Sequence, residues 1–102
     1  GLNTVKIDYA FPNPLDINQE SLIYLPTPDG VTLNEKCSIS IYNADMNEIF
    51  SIKNIKVSLI NDKLIVPIDL VSEIKNISSG VYFYTVNSNS NSNFGKFSII
   101  KK

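Results

Sequence analysis

The sequence predicts an all-β fold, an antiparallel sandwich of about seven short strands, and three observations carry that prediction. Two segments, Cys37-Ser38-Ile39-Ser40-Ile41-Tyr42 and Leu64-Ile65-Val66-Pro67-Ile68-Asp69-Leu70, place apolar residues at every second position, the period of a strand with one buried face. Two later segments, 81–86 and 94–100, are rich in β-branched and aromatic residues, which fit a pleated sheet. Turn-forming residues separate these runs at intervals of about 8–12 residues, the spacing of a sandwich.

Along the chain, a weaker strand at 5–9 precedes Pro12 and Pro14, and another at 21–25 precedes the Pro- and Gly-containing turn at 26–30. The 37–42 strand puts Cys37, Ile39 and Ile41 on its buried side. A turn at 43–47, weaker strands at 48–52 and 56–60, and the Asn61-Asp62 turn follow. In the 64–70 strand Val66 and Ile68 face inward, while Pro67, which has no N–H for a ladder, argues for an edge or a strand end. A helical hint at 69–77 is too short to compete with these signals. The last two strands form a hairpin whose Asn/Ser tip at 87–93 reads as flexible and solvated, because these side chains compete for backbone hydrogen bonds. The expected core is Ile39, Ile41, Val66, Ile68, Tyr82, Tyr84, Phe97 and Ile99.

The 102 residues suit a single domain, 1–102, and 43% hydrophobic against 19% charged residues is a globular composition. The net charge is -1 and the nine basic residues, all Lys, are scattered; a basic stripe for nucleic acid is missing. No apolar run approaches the roughly 20 residues that span a bilayer, and the first residues lack the pattern of a signal peptide. The chain is therefore expected to be either cytoplasmic or a piece of a longer protein.

Composition also argues against an enzyme. His, Trp and Arg are all missing, which removes the commonest general base and the usual oxyanion clamp. The one cysteine, Cys37, falls on a buried face with no His to activate it and reads as an inert small hydrophobe. The aspartates sit mostly at turns, with no oxygen-rich spacing for a metal. No cofactor or metal is expected. Five tyrosines are present, and Tyr82 with Tyr84 share one strand face, more a core pattern than a ligand platform.

Several segments recur in one order: Phe11-Pro12-Asn13-Pro14-Leu15, Ile23-Tyr24-Leu25-Pro26, Ser38-Ile39-Ser40-Ile41-Tyr42-Asn43, Ser79-Gly80-Val81-Tyr82-Phe83-Tyr84, and Gly95-Lys96-Phe97 ahead of Lys101-Lys102. This order, over Tyr9 to Lys102, resembles the carboxy-terminal sorting domain (type A) of the type IX secretion system, related to the immunoglobulin-like domain of the flagellar hook-capping protein. The motif positions are Pro12, Asn13, Pro14, Gly80, Tyr82, Tyr84, Gly95 and Lys96. Asn13 is placed to close a turn, and Gly80 to permit a positive φ before its strand. Where the family has a turn glycine stands Met46, beside Asn47, which is expected to take over the left-handed conformation. Of the family's Trp-Asp-Gly only Asp69 matches.

The resemblance implies an immunoglobulin-like sandwich serving as the sorting signal at the end of a longer exported protein. It implies an N-terminal cargo domain, an outer-membrane translocon that reads the signal, and a sortase-like protease as partners. The implied location is the periplasm in transit to the cell surface or medium, with no span of the membrane. Lys96, Lys101 and Lys102 are the candidate recognition residues, since they cannot be buried unpaired. The alternative is an accessory immunoglobulin-like module binding carbohydrate or protein beside an enzyme domain at the cell surface, which a planar row of exposed tyrosines would favour.

Overall fold

The computed structural model describes residues 9–102, leaving most of the predicted strand at 5–9 outside the described residues. Eight strands and one helical turn follow: β1 (Leu15–Asp16), β2 (Leu22–Pro26), β3 (Lys36–Tyr42), β4 (Glu48–Lys56), β5 (Ser58–Ile60), β6 (Lys63–Asp69), α1 (Leu70–Glu73), β7 (Gly80–Asn87) and β8 (Ser92–Ile100). They build a sandwich of a five-stranded sheet, ordered β1-β8-β7-β3-β4, and a three-stranded sheet, ordered β2-β6-β5.

The period-two patterns set the core. Cys37, Ile39 and Ile41 of β3, Tyr82, Tyr84 and Val86 of β7, and Phe97 and Ile99 of β8 are buried from one sheet; Ile23, Leu25, Val66 and Ile68 are buried from the other. All eight residues expected in the core lie in this cluster. Ile65, on the opposite face of β6 from Val66, is also fully buried but lies outside it.

Four local readings are corrected. The sandwich is not wholly antiparallel, because β1 pairs with β8 in parallel, Leu15 opposite Ile99 and Asp16 opposite Ile100. The segment 56–60 is not one strand: β4 runs on to Lys56, and the buried Val57, whose N–H donates to the Glu35 carbonyl at 3.1 Å, carries the chain across to β5 in the other sheet. Such strand-to-strand switching between layers is a normal way to turn a sandwich corner. The helical hint does yield a turn, α1, because the Asp69 carboxylate accepts from the Ser72 N–H at 3.2 Å and so caps an otherwise orphan donor. In the turn after β3, Met46 itself takes the left-handed conformation (φ 64°) rather than Asn47. The Asn43 side chain accepts from the N–H groups of both Asp45 and Asn47 at 3.0 Å, which fixes the flanking residues and leaves Met46 to make the reversal.

Other turns follow their chemistry. Asn61 and Asp62 both have positive φ (50° and 64°) between Ile60 and Lys63, which pair across the turn; two such residues in a two-residue loop match the twist of a hairpin. Pro67 lies in the middle of its sheet, but β5 pairs with β6 only as far as Ile65, so Pro67 faces a partner on the β2 side alone.

Candidate functional site

The motif residues divide between the interior and one end of the five-stranded sheet. In the interior, Tyr84 of β7 stands opposite Gly95 of β8. A methyl group added at Gly95 would lie 2.5 Å from Cζ and 2.8 Å from Cε2 of Tyr84. Gly95 is therefore the space into which the ring lies down, while Tyr82 and Tyr84 flank Phe97 with centroids at 5.9 and 6.3 Å. Burial pushes the Tyr84 phenol up to about 12, because ionisation would place a charge among these rings. The Tyr82 hydroxyl donates to the Ser78 carbonyl at 2.7 Å, tying the start of β7 to the loop before it in the manner of a tyrosine corner. Gly80, at the head of β7, has φ 153°.

At the sheet end the chain is laced together by side chains. Asn13, between Pro12 and Pro14, accepts from the Ser98 N–H of β8 at 2.9 Å. It closes no local turn; its amide oxygen stands where a neighbouring strand's carbonyl would, and β1 then takes up pairing with β8. The Ile17 N–H continues that ladder to the Ile100 carbonyl at 3.1 Å. Asn18 accepts from the Lys102 N–H at 2.7 Å. Ser79 accepts from the Lys101 N–H at 2.7 Å and returns its hydroxyl to the Lys101 carbonyl at 3.1 Å.

Thus Asn13, Gly80, Lys101 and Lys102 share one end of the domain, Tyr82 and Tyr84 lie inside it with the half-buried Gly95 beside Tyr84, and Lys96 stands apart on the outer face opposite Phe83. The lysines also differ from one another. The Lys101 ammonium donates to the Ile77 carbonyl at 3.2 Å, so this side chain is held against the loop rather than left wholly available. All three, Lys96, Lys101 and Lys102, are exposed.

Asn18 and the ring pair Phe83 and Phe94 were not singled out from sequence. The two rings stack at 5.9 Å and 14° on the outer face, with Phe94 63% exposed. Their signal was the alternation itself, which puts Phe83 opposite in sense to Tyr82 and Tyr84. The tyrosines form no exposed row, since Tyr82 and Tyr84 are buried and Tyr24 and Tyr42 half-buried. The Asn/Ser tip is anchored rather than free: Asn91 donates to the Asp29 carbonyl at 2.8 Å and Asn93 to the Thr27 carbonyl at 2.7 Å, because amide side chains of this length reach the neighbouring loop.

Cys37 is buried, and its thiol is pushed up by burial first and by the Glu35 carboxylate second. Among the described residues, no cluster of His, Cys, Asp or Glu is suited to hold a metal ion, and no helix is long and apolar enough to cross a membrane.

No family model matches the chain, and no curated protein matches it. Among solved structures it is similar to PorZ, an essential bacterial surface component of the type-IX secretion system of Porphyromonas gingivalis, with a TM-score of 0.59 and 18% identity. The likeness is one of fold. It covers 90% of this chain and 11% of the PorZ chain.

Proposed function

We propose that the chain is a non-catalytic sorting domain that directs an attached cargo domain across the outer membrane through a type IX secretion system. Supporting this reading is the likeness in fold to a part of PorZ, together with the motif order from Pro12 to Lys102. The observation that carries it is the laced sheet end, where Asn13, Ser79 and Asn18 fix β8, Lys101 and Lys102 in one place. A signal read by a receptor needs such a fixed, solvent-facing segment and no catalytic group. The partners are then the cargo, the outer-membrane translocon and a sortase-like protease, and the destination is the cell surface or medium.

The test is export of a periplasmic reporter fused to residues 1–102 in a host with a type IX system. Removing residues 97–102 also removes Phe97 and Ile99 from the core, so the informative variant is Lys102→Ala combined with Lys96→Ala, both exposed. We expect a folded protein with reduced delivery to the surface. Full delivery by this variant and by the truncated chain alike overturns the reading.

A second reading, an accessory surface module, is favoured by Phe94, which is 63% exposed and stacks on the half-buried Phe83, since an exposed aromatic ring is a platform for ligands. Undiminished export by Phe94→Ser, alongside loss of binding to a cell-surface glycan, would favour it.

A further inference from the structure

Beside the laced end lies an open cleft of about 420 Å3, within the size range of small-ligand and side-chain pockets. Its apolar lining is aliphatic: Ile17 after β1, Val71 and Ile74 at α1, and Ile77 in the loop before β7. Ile74 and Ile77 are buried and form a floor, whereas Val71 is 50% exposed. Two lysines, Lys75 and Lys101, line the same space, and no Asp or Glu does. In a chain of net charge -1 this is a local reversal of sign.

The Lys101 ammonium is already positioned by one hydrogen bond to the Ile77 carbonyl. A lysine ammonium has three donors, so two remain for a partner, and the first fixes where they point. An aliphatic floor beside a prepositioned cation suits a group that carries a carboxylate next to a branched apolar side chain. The cleft is too open to enclose an alkyl chain, and of the two amides on its rim Asn76 is on offer to a peptide backbone while Asn18 is engaged with the Lys102 backbone.

We propose that this cleft binds an acidic peptide segment, one that sets an Asp or Glu side chain on Lys75 and Lys101 and a Leu, Ile or Val side chain on the floor formed by Ile74 and Ile77. The inference deepens the sorting reading, on which the identity of the protein carrying that segment rests. Binding itself stands independently of export.

The experiment is an NMR titration of the full chain with a blocked Leu-Asp-Ile-Glu-Leu peptide, set against the same peptide with Asn and Gln in place of the acids, and against decanoate. We expect saturable shifts at the amides of Val71, Lys75, Ile77 and Lys101. The amide peptide should bind about tenfold more weakly, the size of one lost charge-assisted hydrogen bond. Lys75→Gln and Val71→Ser, both at exposed positions, should each weaken the acidic peptide while leaving the melting temperature unchanged. Equal binding of acidic and amide peptides, shifts confined to another face, equal binding of decanoate, or no saturation at millimolar peptide would each overturn the proposal. Peptide binding without reporter export would retain the cleft and remove the sorting reading. Export that persists in Lys75→Gln with peptide binding abolished would remove the cleft from receptor recognition and leave the sorting reading in place.

Discussion

The two sheets solve the same burial problem with partly different materials. The three-stranded sheet presents aliphatic side chains, Ile23, Leu25, Val66 and Ile68, to the interior. The five-stranded sheet buries aliphatic side chains too, Ile39, Ile41, Val86 and Ile99, but adds the aromatic Tyr82, Tyr84 and Phe97, with Tyr84 laid over a glycine. Aliphatic cores are decided mainly by volume and tolerate small changes when that volume is kept. An aromatic ring fitted against a bare backbone is decided by shape, and the fit depends on the one residue that lacks a side chain. The difference teaches that the motif positions Tyr84 and Gly95 form a single structural unit, so neither can be judged alone.

The comparison can be broken most directly at Gly95. Gly95→Ala should cost about 1–3 kcal/mol by overpacking, read as a lower urea midpoint. Adding Tyr84→Leu should recover part of that loss, because the smaller side chain vacates the space. If the two substitutions are simply additive, ring and glycine are not coupled. On the aliphatic side, Ile23→Val removes one methylene from a fully buried position and should cost about 0.5–1.5 kcal/mol. A loss as large as that of Gly95→Ala would erase the distinction between the sheets.

A smaller effect sharpens it further. The Tyr84 phenol, pushed up to about 12 by burial, ionises less readily in the folded chain than at its ordinary value of 10.0. The folded state therefore holds the proton more tightly, and this contribution is fully present below the unfolded value and lost as pH rises through the folded one. Stability should fall between about pH 10 and 12, and the fall should be shallower in Tyr84→Phe when urea midpoints are compared along the same pH series. Equal slopes would place the ring in water.

Much of the fold was legible because burial writes itself into alternation. The inward faces of β3, β6, β7 and β8 could be read residue by residue, and each expected core residue is in the core. What escaped was decided by single backbone events with no periodic trace. The crossing from β4 to β5 occupies one residue, Val57, whose neighbours look like an ordinary strand. The left-handed turn residue is Met46 because Asn43 claims the flanking amides, a competition between side chains rather than a preference of either residue. At the sheet end, the motif residues were visible, but their partners were not. Asn13 and Ser98 are 85 positions apart, and nothing local marks either as the other's partner. The cleft was hidden for the same reason, since Ile17, Val71 and Lys101 meet only after the sheet has closed.

That closure orders events in time as well as space. Leu15 and Asp16 find their ladder only on Ile99 and Ile100, the end of β8 and the last of the domain's strands in chain order. A growing chain can form the β5–β6 hairpin as soon as it emerges, but it holds β1 unmatched until almost the whole domain is available. Pairings of such sequence separation are slow to form, because the entropy of closing a long loop must be met before any contact rewards it. The domain thus stays unlatched while its chain is being made, and locks only once β8 has been delivered.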